Sequence, residues 1–241
     1  MTKMSPRRVR AIFWKELREY RRHGSVLVAT AIFPLVFLIQ PIVVILRGSG
    51  TLAATLEGSH LLLYMLAIPV LTPAVLGAYS VAGERQQGSL EPVLSTPIPR
   101  EEFLLGKALA ALLPSVAIAY ATFAFFIAFV ALVAQPDVAR SVIRIPDVVA
   151  QLLLTPLLAA WSTWVGIAIS TRSSDVRVAQ QLSLLADVPV VLLTSLIAFD
   201  VIELAPRLAF GLAALLLIAD VLGWRIVAPM FDRERLITGT R

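Results

Sequence analysis

Apolar residues gather into six long runs, at about 25–46, 61–82, 108–134, 148–170, 182–199 and 208–227. Each is close to the roughly 20 residues that an α-helix needs to cross the hydrocarbon of a bilayer. Prolines interrupt several runs, among them Pro34 and Pro41 in the first and Pro69 and Pro73 in the second. They read as kinks rather than ends, because packed neighbours can satisfy the freed carbonyls inside a helical bundle. The polar stretches between the runs are short, so the pattern predicts a single all-α membrane domain over residues 1–241.

Two stretches outside the runs carry their own periodicity. In 6–24, Val9, Ile12, Phe13, Leu17 and Tyr20 recur at helical spacing, and Arg7, Arg8, Arg10, Lys15, Arg18, Arg21 and Arg22 fill much of the remainder. A helix of this kind lies in the membrane interface, apolar side in the acyl boundary and basic side among headgroups. The run that follows it is about twice the length of a signal-peptide core, which argues against a cleaved leader. The other stretch is the longest break in the apolar pattern, 83–107, reading GERQQGSLEPVLSTPIPREEFLLGK. Gly88 and Ser89 predict a helix start, since a serine hydroxyl can accept from an orphan amide of the first turn. Leu90, Val93 and Leu94 then share one face, with Glu91 in the first turn and Pro92 still early enough to be tolerated. Thr96-Pro97 ends that short helix. Pro99 opens a second one, with Glu101 and Glu102 in its first turn, that runs into the third apolar run.

Composition supports the membrane assignment: 58% of the 241 residues are hydrophobic, 15% are charged, and mean hydropathy is +0.84. Soluble domains average about 45–50% apolar and about 25% charged. Cysteine is absent, so disulfides and thiolate metal sites are excluded. The two histidines, His23 and His60, are too far apart in sequence to suggest a metal centre, and no metal ligand set is expected. The net charge of +5 is explained by topology rather than by nucleic acid. Of the 21 Lys and Arg, only Arg47, Arg140, Arg144 and Arg207 fall on one side of the predicted spans. The positive-inside rule then places both termini and 83–107 in the cytoplasm of a multi-pass cell-membrane protein.

The 83–107 stretch resembles the cytoplasmic coupling loop of type-2 ABC exporter permeases, with its acidic-basic pair, glycine, acidic residue, Ser/Thr-Pro and later Gly-Lys. FWKELREYRRHG, at 13–24, resembles the N-terminal elbow helix of the same family. Six spans with both ends inside fit too, so the resemblance covers essentially the whole chain. It implies that Glu84, Arg85, Gly88, Ser89, Leu90, Glu91, Val93, Leu94, Ser95, Thr96 and Pro97 dock on an ATPase subunit. It also implies an elbow built on Ile12, Phe13, Trp14, Lys15, Glu16 and Leu17. Pro92 departs from the family pattern, which bears on the length of the coupling helix. The implied partners are two copies of an ABC ATPase, which would bind ATP and Mg, and a second permease subunit, identical or paralogous. The direction, export, comes from the resemblance alone. This chain has no G-x-x-x-x-G-K-[ST] sequence, since Gly106-Lys107 is followed by Ala108, so no cofactor and no enzymatic activity of its own are expected.

Ionisable groups inside the spans are functional candidates by default. Asp187 and Asp220 lie in the fifth and sixth runs, and Lys107, at the inner start of the third, is a possible partner for either; Gln40 joins them as a possible lining of the translocation path. A plainer reading makes these groups helix-helix contacts, as for Gln151, Tyr120, Thr155 and Thr194. Two other classes compete. An intramembrane aspartyl protease would use Asp187 and Asp220 as a dyad, but the flanking Leu-Leu-Ala and Leu-Ile-Ala lack the Tyr-Asp and Gly-x-Gly-Asp contexts of such enzymes. A nonenergised channel or secondary transporter leaves the coupling stretch unexplained and predicts an inverted repeat that the chain does not show.

Overall fold

The computed structural model describes residues 4–46, 60–90, 98–202 and 205–231. Among these the regular structure is helical. Helix α1, Pro6–Arg22, is followed after His23 by α2, Gly24–Leu46. A 3₁₀ turn, Leu61–Ala67, leads into α3, Ile68–Gln86. Helix α4, Arg100–Val133, has 34 residues and is about 51 Å long, well beyond the ~30 Å of hydrocarbon. A short helix α5, Pro136–Val142, precedes α6, Ile145–Arg172. Then come α7, Val176–Ala198, and α8, Pro206–Val227, which ends in a 3₁₀ turn, Ala228–Phe231.

Six of these helical stretches are long and apolar enough to cross a membrane. They differ sharply in what they touch. The most apolar stretch of Leu61–Gln86 is 89% buried within the chain, whereas that of the last span is 11% buried and that of α2 22%. Helix α3 is therefore the centre post. It packs most extensively on α6, then on α7, α4 and α2. Small residues let α3 and α6 approach, with Gly77 facing Gly166. Serines then join the two: the Ser162 hydroxyl lies 2.6 Å from the Val70 carbonyl, and Ser170 donates to the Ala78 carbonyl at 2.6 Å. The outward faces of α2, α7 and α8 carry exposed Leu, Ile, Val and Phe side chains, among them Leu35, Ile39, Leu185, Leu192, Phe210 and Ile218. Such faces suit lipid or another membrane helix.

The polar breaks 135–147 and 171–181, which the apolar runs leave as loops, both contain helix. The polar stretch 171–181 is not a loop of that length. Asp175 accepts hydrogen bonds from the amides of Arg177 at 2.7 Å and Val178 at 3.2 Å, a cap that starts α7 at Val176. The stretch 135–147 contains α5, placed so that Val138 and Val142 enter the core formed with Phe126 and Val130.

Candidate functional site

The basic residues of α1 and the ends of the 83–107 stretch meet at one rim of the bundle. Helix α1 lies across α4, because Val9, Ile12, Glu16 and Tyr20 share its buried face. Gly106 permits the close approach: a Cβ there would lie 2.6 Å from the Ile12 side chain. One residue on, Lys107 is fully buried, and its ammonium meets three oxygens, two by hydrogen bond and the one on Glu84 as an ion pair. They belong to Glu16 at 2.9 Å, Glu84 at 3.0 Å and the Ser80 carbonyl at 2.6 Å. Lys15 completes the cluster, bonding Glu16 at 3.0 Å, Glu19 at 3.1 Å and Glu84. Two ammonium groups thus face two carboxylates that are each 1% exposed, with Glu19 at the edge. Carboxylate oxygens of Glu16, Glu19 and Glu84 lie within 4.8 Å of one another, a spacing that suits a cation, and the cation among them is Lys15.

Burial pushes the Glu16 carboxyl up, against the pull of Lys107 and Lys15. Burial works the other way on Lys15, yet Glu16 and Glu84 outweigh it and hold the amine above the usual lysine range. Tyr20, buried beside this cluster with its hydroxyl turned to the Leu76 carbonyl, is likewise raised by burial.

The two flanks of the segment 91–97 are anchored around this cluster. On the near side, Gly88 adopts φ 66°, a conformation that costs a residue with a Cβ about 1–2 kcal/mol. Its amide bonds the Arg85 carbonyl at 3.2 Å, and the Ser89 amide bonds the Glu84 carbonyl at 3.0 Å. That pair of bonds is a Schellman ending for α3. Gly88 and Ser89 therefore close the preceding helix, and helical backbone resumes at Leu90 as expected, while the Ser89 hydroxyl turns back to the Glu84 carbonyl at 3.4 Å. On the far side, Glu102 accepts from the Ser5 amide at 2.7 Å and from both Nε and Nη2 of Arg8, at 2.5 and 2.8 Å. Arg85 spans to another helix, donating to the Thr171 and Ser173 carbonyls at the end of α6.

These placements revise several roles expected from sequence. Glu84, expected at a docking surface, is buried because two lysines neutralise it inside the fold. Leu90 is 5% exposed and packs in the chain's own core with Ile12, Phe103, Leu104 and Phe231. Ile12 belongs to the same core and faces α4 instead of lipid, while Phe13 and Leu17 pack at the margin of a second core around Tyr20 and Tyr79. Trp14 is exposed. Glu91, Val93, Leu94, Ser95, Thr96 and Pro97 lie outside the described residues. Lys107 is partnered by Glu16 and Glu84, not by Asp187 or Asp220.

The two aspartates occupy a different setting. Asp187 is fully buried, its Oδ2 2.5 Å from the Ser162 hydroxyl and its Oδ1 without a hydrogen-bond partner. Oδ1 of Asp220 is buried and unpartnered too. Asp187 lies one turn before Val190 and Asp220 directly follows Ala219. Both of those residues line, with Trp161, a wholly apolar cavity of about 320 Å³ between α6, α7 and α8. Gln40 is elsewhere, on α2, its Oε1 also buried without a partner. At the opposite rim the fold joins His60 and Asp147 at 2.7 Å, with Arg144 at 3.2 Å from the same carboxylate. These three are far apart in sequence, apart from the Arg144–Asp147 spacing of one helical turn, and no pattern of periodicity announces the contact.

Comparison with known proteins adds one decisive match. No curated protein matches the sequence significantly. A family model described as ABC-2 family transporter protein matches residues 10–220. That stretch runs from α1, with its Lys15 and Glu16, through Lys107 and Asp187 to Asp220, and the chain belongs to the ABC-2 transporter family as a multi-pass membrane protein.

Proposed function

We propose that this chain is the membrane-spanning permease subunit of an ATP-driven exporter, coupled through 83–107 to a separate ATPase. Family membership supports the permease role and, in general, an ABC ATPase partner. The observation that carries the coupling role is the shared anchorage: Glu84 before the 91–97 segment and Lys107 after it meet in one buried ion cluster with α1. A push on that segment is therefore delivered to α3, α4 and α1 together, a lever between two packings of the bundle. The ATPase, in two copies, would hold ATP and Mg. A second permease subunit, the same chain or a paralogue, would complete the path against the exposed apolar faces. Helix α1 would serve as the interfacial elbow, with both termini on the cytoplasmic side of the cell membrane, a placement the Lys and Arg distribution supports. Asp187 and Asp220, beside the apolar cavity, would face the path.

The test uses the complex of this chain with its ATPase in proteoliposomes. Val93→Asp/Leu94→Asp should abolish ATPase capture and transport-linked hydrolysis while leaving membrane insertion intact. Leu94→Ala alone should weaken capture more than Glu91→Ala, since a buried apolar anchor typically contributes about 2 kcal/mol or more and a rim charge less. Normal coupling by the double-aspartate variant would remove the coupling role.

A further inference from the structure

Helix α1 carries more cations than the ion cluster uses. Arg8 is committed to Glu102 and Lys15 to three carboxylates. Arg18 and Arg21 are exposed, and no carboxylate pairs with either among the described residues. With Trp14 and Leu17 they follow the i, i+3, i+4, i+7 spacing of one helical face. That face forms one wall of a cavity of about 380 Å³, within the roughly 300–1,000 Å³ of ligand sites. Its other walls are apolar: Val26 and Leu27 from the first turn of α2, Leu76 from α3, Pro114 and Ile118 from α4. The polar groups on these walls are already used, the Thr30 hydroxyl by the Val26 carbonyl at 2.7 Å and the Tyr20 hydroxyl by the Leu76 carbonyl. What remains is an apolar slot, entering the membrane-spanning part of α2, with two uncommitted guanidinium groups at its mouth.

From this charge and shape we infer that the cavity between α1, α2 and α4 is a binding site for an anionic phospholipid. Arg18 and Arg21 take the phosphate, a geometry guanidinium favours. One acyl chain lies against Leu27, Leu76 and Ile118, and Trp14 sits at the headgroup level where its ring is favoured. A free inorganic anion would satisfy the arginines but leave the apolar slot open, so the occupant is the anion that brings its own tail. The site ties α1 to lipid at its Arg21 end, as Arg8 and Lys15 tie it to protein elsewhere. The inference rests on the chain's membrane character and does not need the ATPase coupling proposed above.

The full chain, purified in detergent and mixed with equal amounts of phosphatidylglycerol and phosphatidylcholine of the same acyl chains, is examined by native mass spectrometry. Wild type should retain the anionic lipid with about thirtyfold preference, because two cations at about 1 kcal/mol each face a headgroup with no choline cation to offset its phosphate. Arg18→Gln/Arg21→Gln should remove the preference, whereas Arg7→Gln/Arg22→Gln, which deletes the same charge elsewhere on α1, should keep it. Leu27→Trp, narrowing the slot, should lower retention of both lipids. Quenching of Trp14 fluorescence by brominated-chain phosphatidylglycerol, with Trp161, Trp164 and Trp224 changed to Phe, gives a second readout in bilayers. Equal retention of the two lipids by wild type overturns the inference, as does equal loss in the two arginine pairs. Full displacement of the lipid by millimolar inorganic phosphate overturns it too, since the tail would then contribute nothing.

Discussion

Glu16 and Glu84 at the rim and Asp187 within the bundle are all buried carboxylates, yet they are treated in opposite ways. The two glutamates are each met by Lys15 and Lys107. Asp187 has one serine hydroxyl and an unpartnered oxygen. Removing a charge from water is costly unless ion pairing and hydrogen bonds return the loss. At the rim two ammonium groups supply that return, so the cluster can serve as a joint between α1, α3 and α4. Around Asp187 the cost is left standing among the described residues, which keeps this ionisable group within a span a functional candidate. Equal burial thus goes with unequal ionic partnering: two ammonium groups meet the glutamates, and among the described residues no cation pairs with Asp187.

The comparison is most exposed at Lys107. Lys107→Met leaves Glu16 and Glu84 buried with only Lys15, and should destabilise the chain by about 3–5 kcal/mol. Unfolding measured in bilayers or nanodiscs reads this, and Lys107→Met/Glu16→Gln/Glu84→Gln should recover much of the loss. A triple variant as unstable as the single one would mean that packing, not charge balance, holds the joint. Arg85→Ala, which leaves the last carbonyls of α6 without their cation, should cost about 1 kcal/mol after allowing for its partial exposure. The smallest stability effect is expected at the other end of the contrast. Asp187→Asn keeps an oxygen for Ser162 and should change stability by less than about 1 kcal/mol. Its effect should appear instead in transport-linked ATP hydrolysis by the reconstituted complex. A large stability loss with unchanged hydrolysis would turn Asp187 into a structural contact and erase the contrast.

Much of the fold was legible because hydrophobic length and helical period are local properties. The six apolar helices follow from the runs, and the amphipathic spacing of Val9, Ile12 and Tyr20 anticipates the buried face of α1. The 34-residue α4 was foreshadowed by Pro99 with Glu101 and Glu102 in the first turn. The candidate site was legible as a stretch and not as a set of contacts. Gly88-Ser89 has the composition of a helix start and of a helix end alike, and it stands between the two: the end of α3 and the helical backbone that resumes at Leu90.

By itself, then, the sequence determined that this is a membrane protein with six apolar helices, a basic helix ahead of the first and a long polar break between the second and third. Free energy of transfer into hydrocarbon depends on each segment's own residues, so no neighbour was needed to read it. Tertiary structure alone decided that Lys107 turns to Glu16 and Glu84 and away from the aspartates, that Leu90 and Ile12 enter one core, and that Asp187 keeps an oxygen unpartnered. The partner of a buried charge is chosen by which helices cross at its depth. Glu16 and Lys107 are 91 positions apart, and only the crossing of α1 over α4 at Gly106 brings them together.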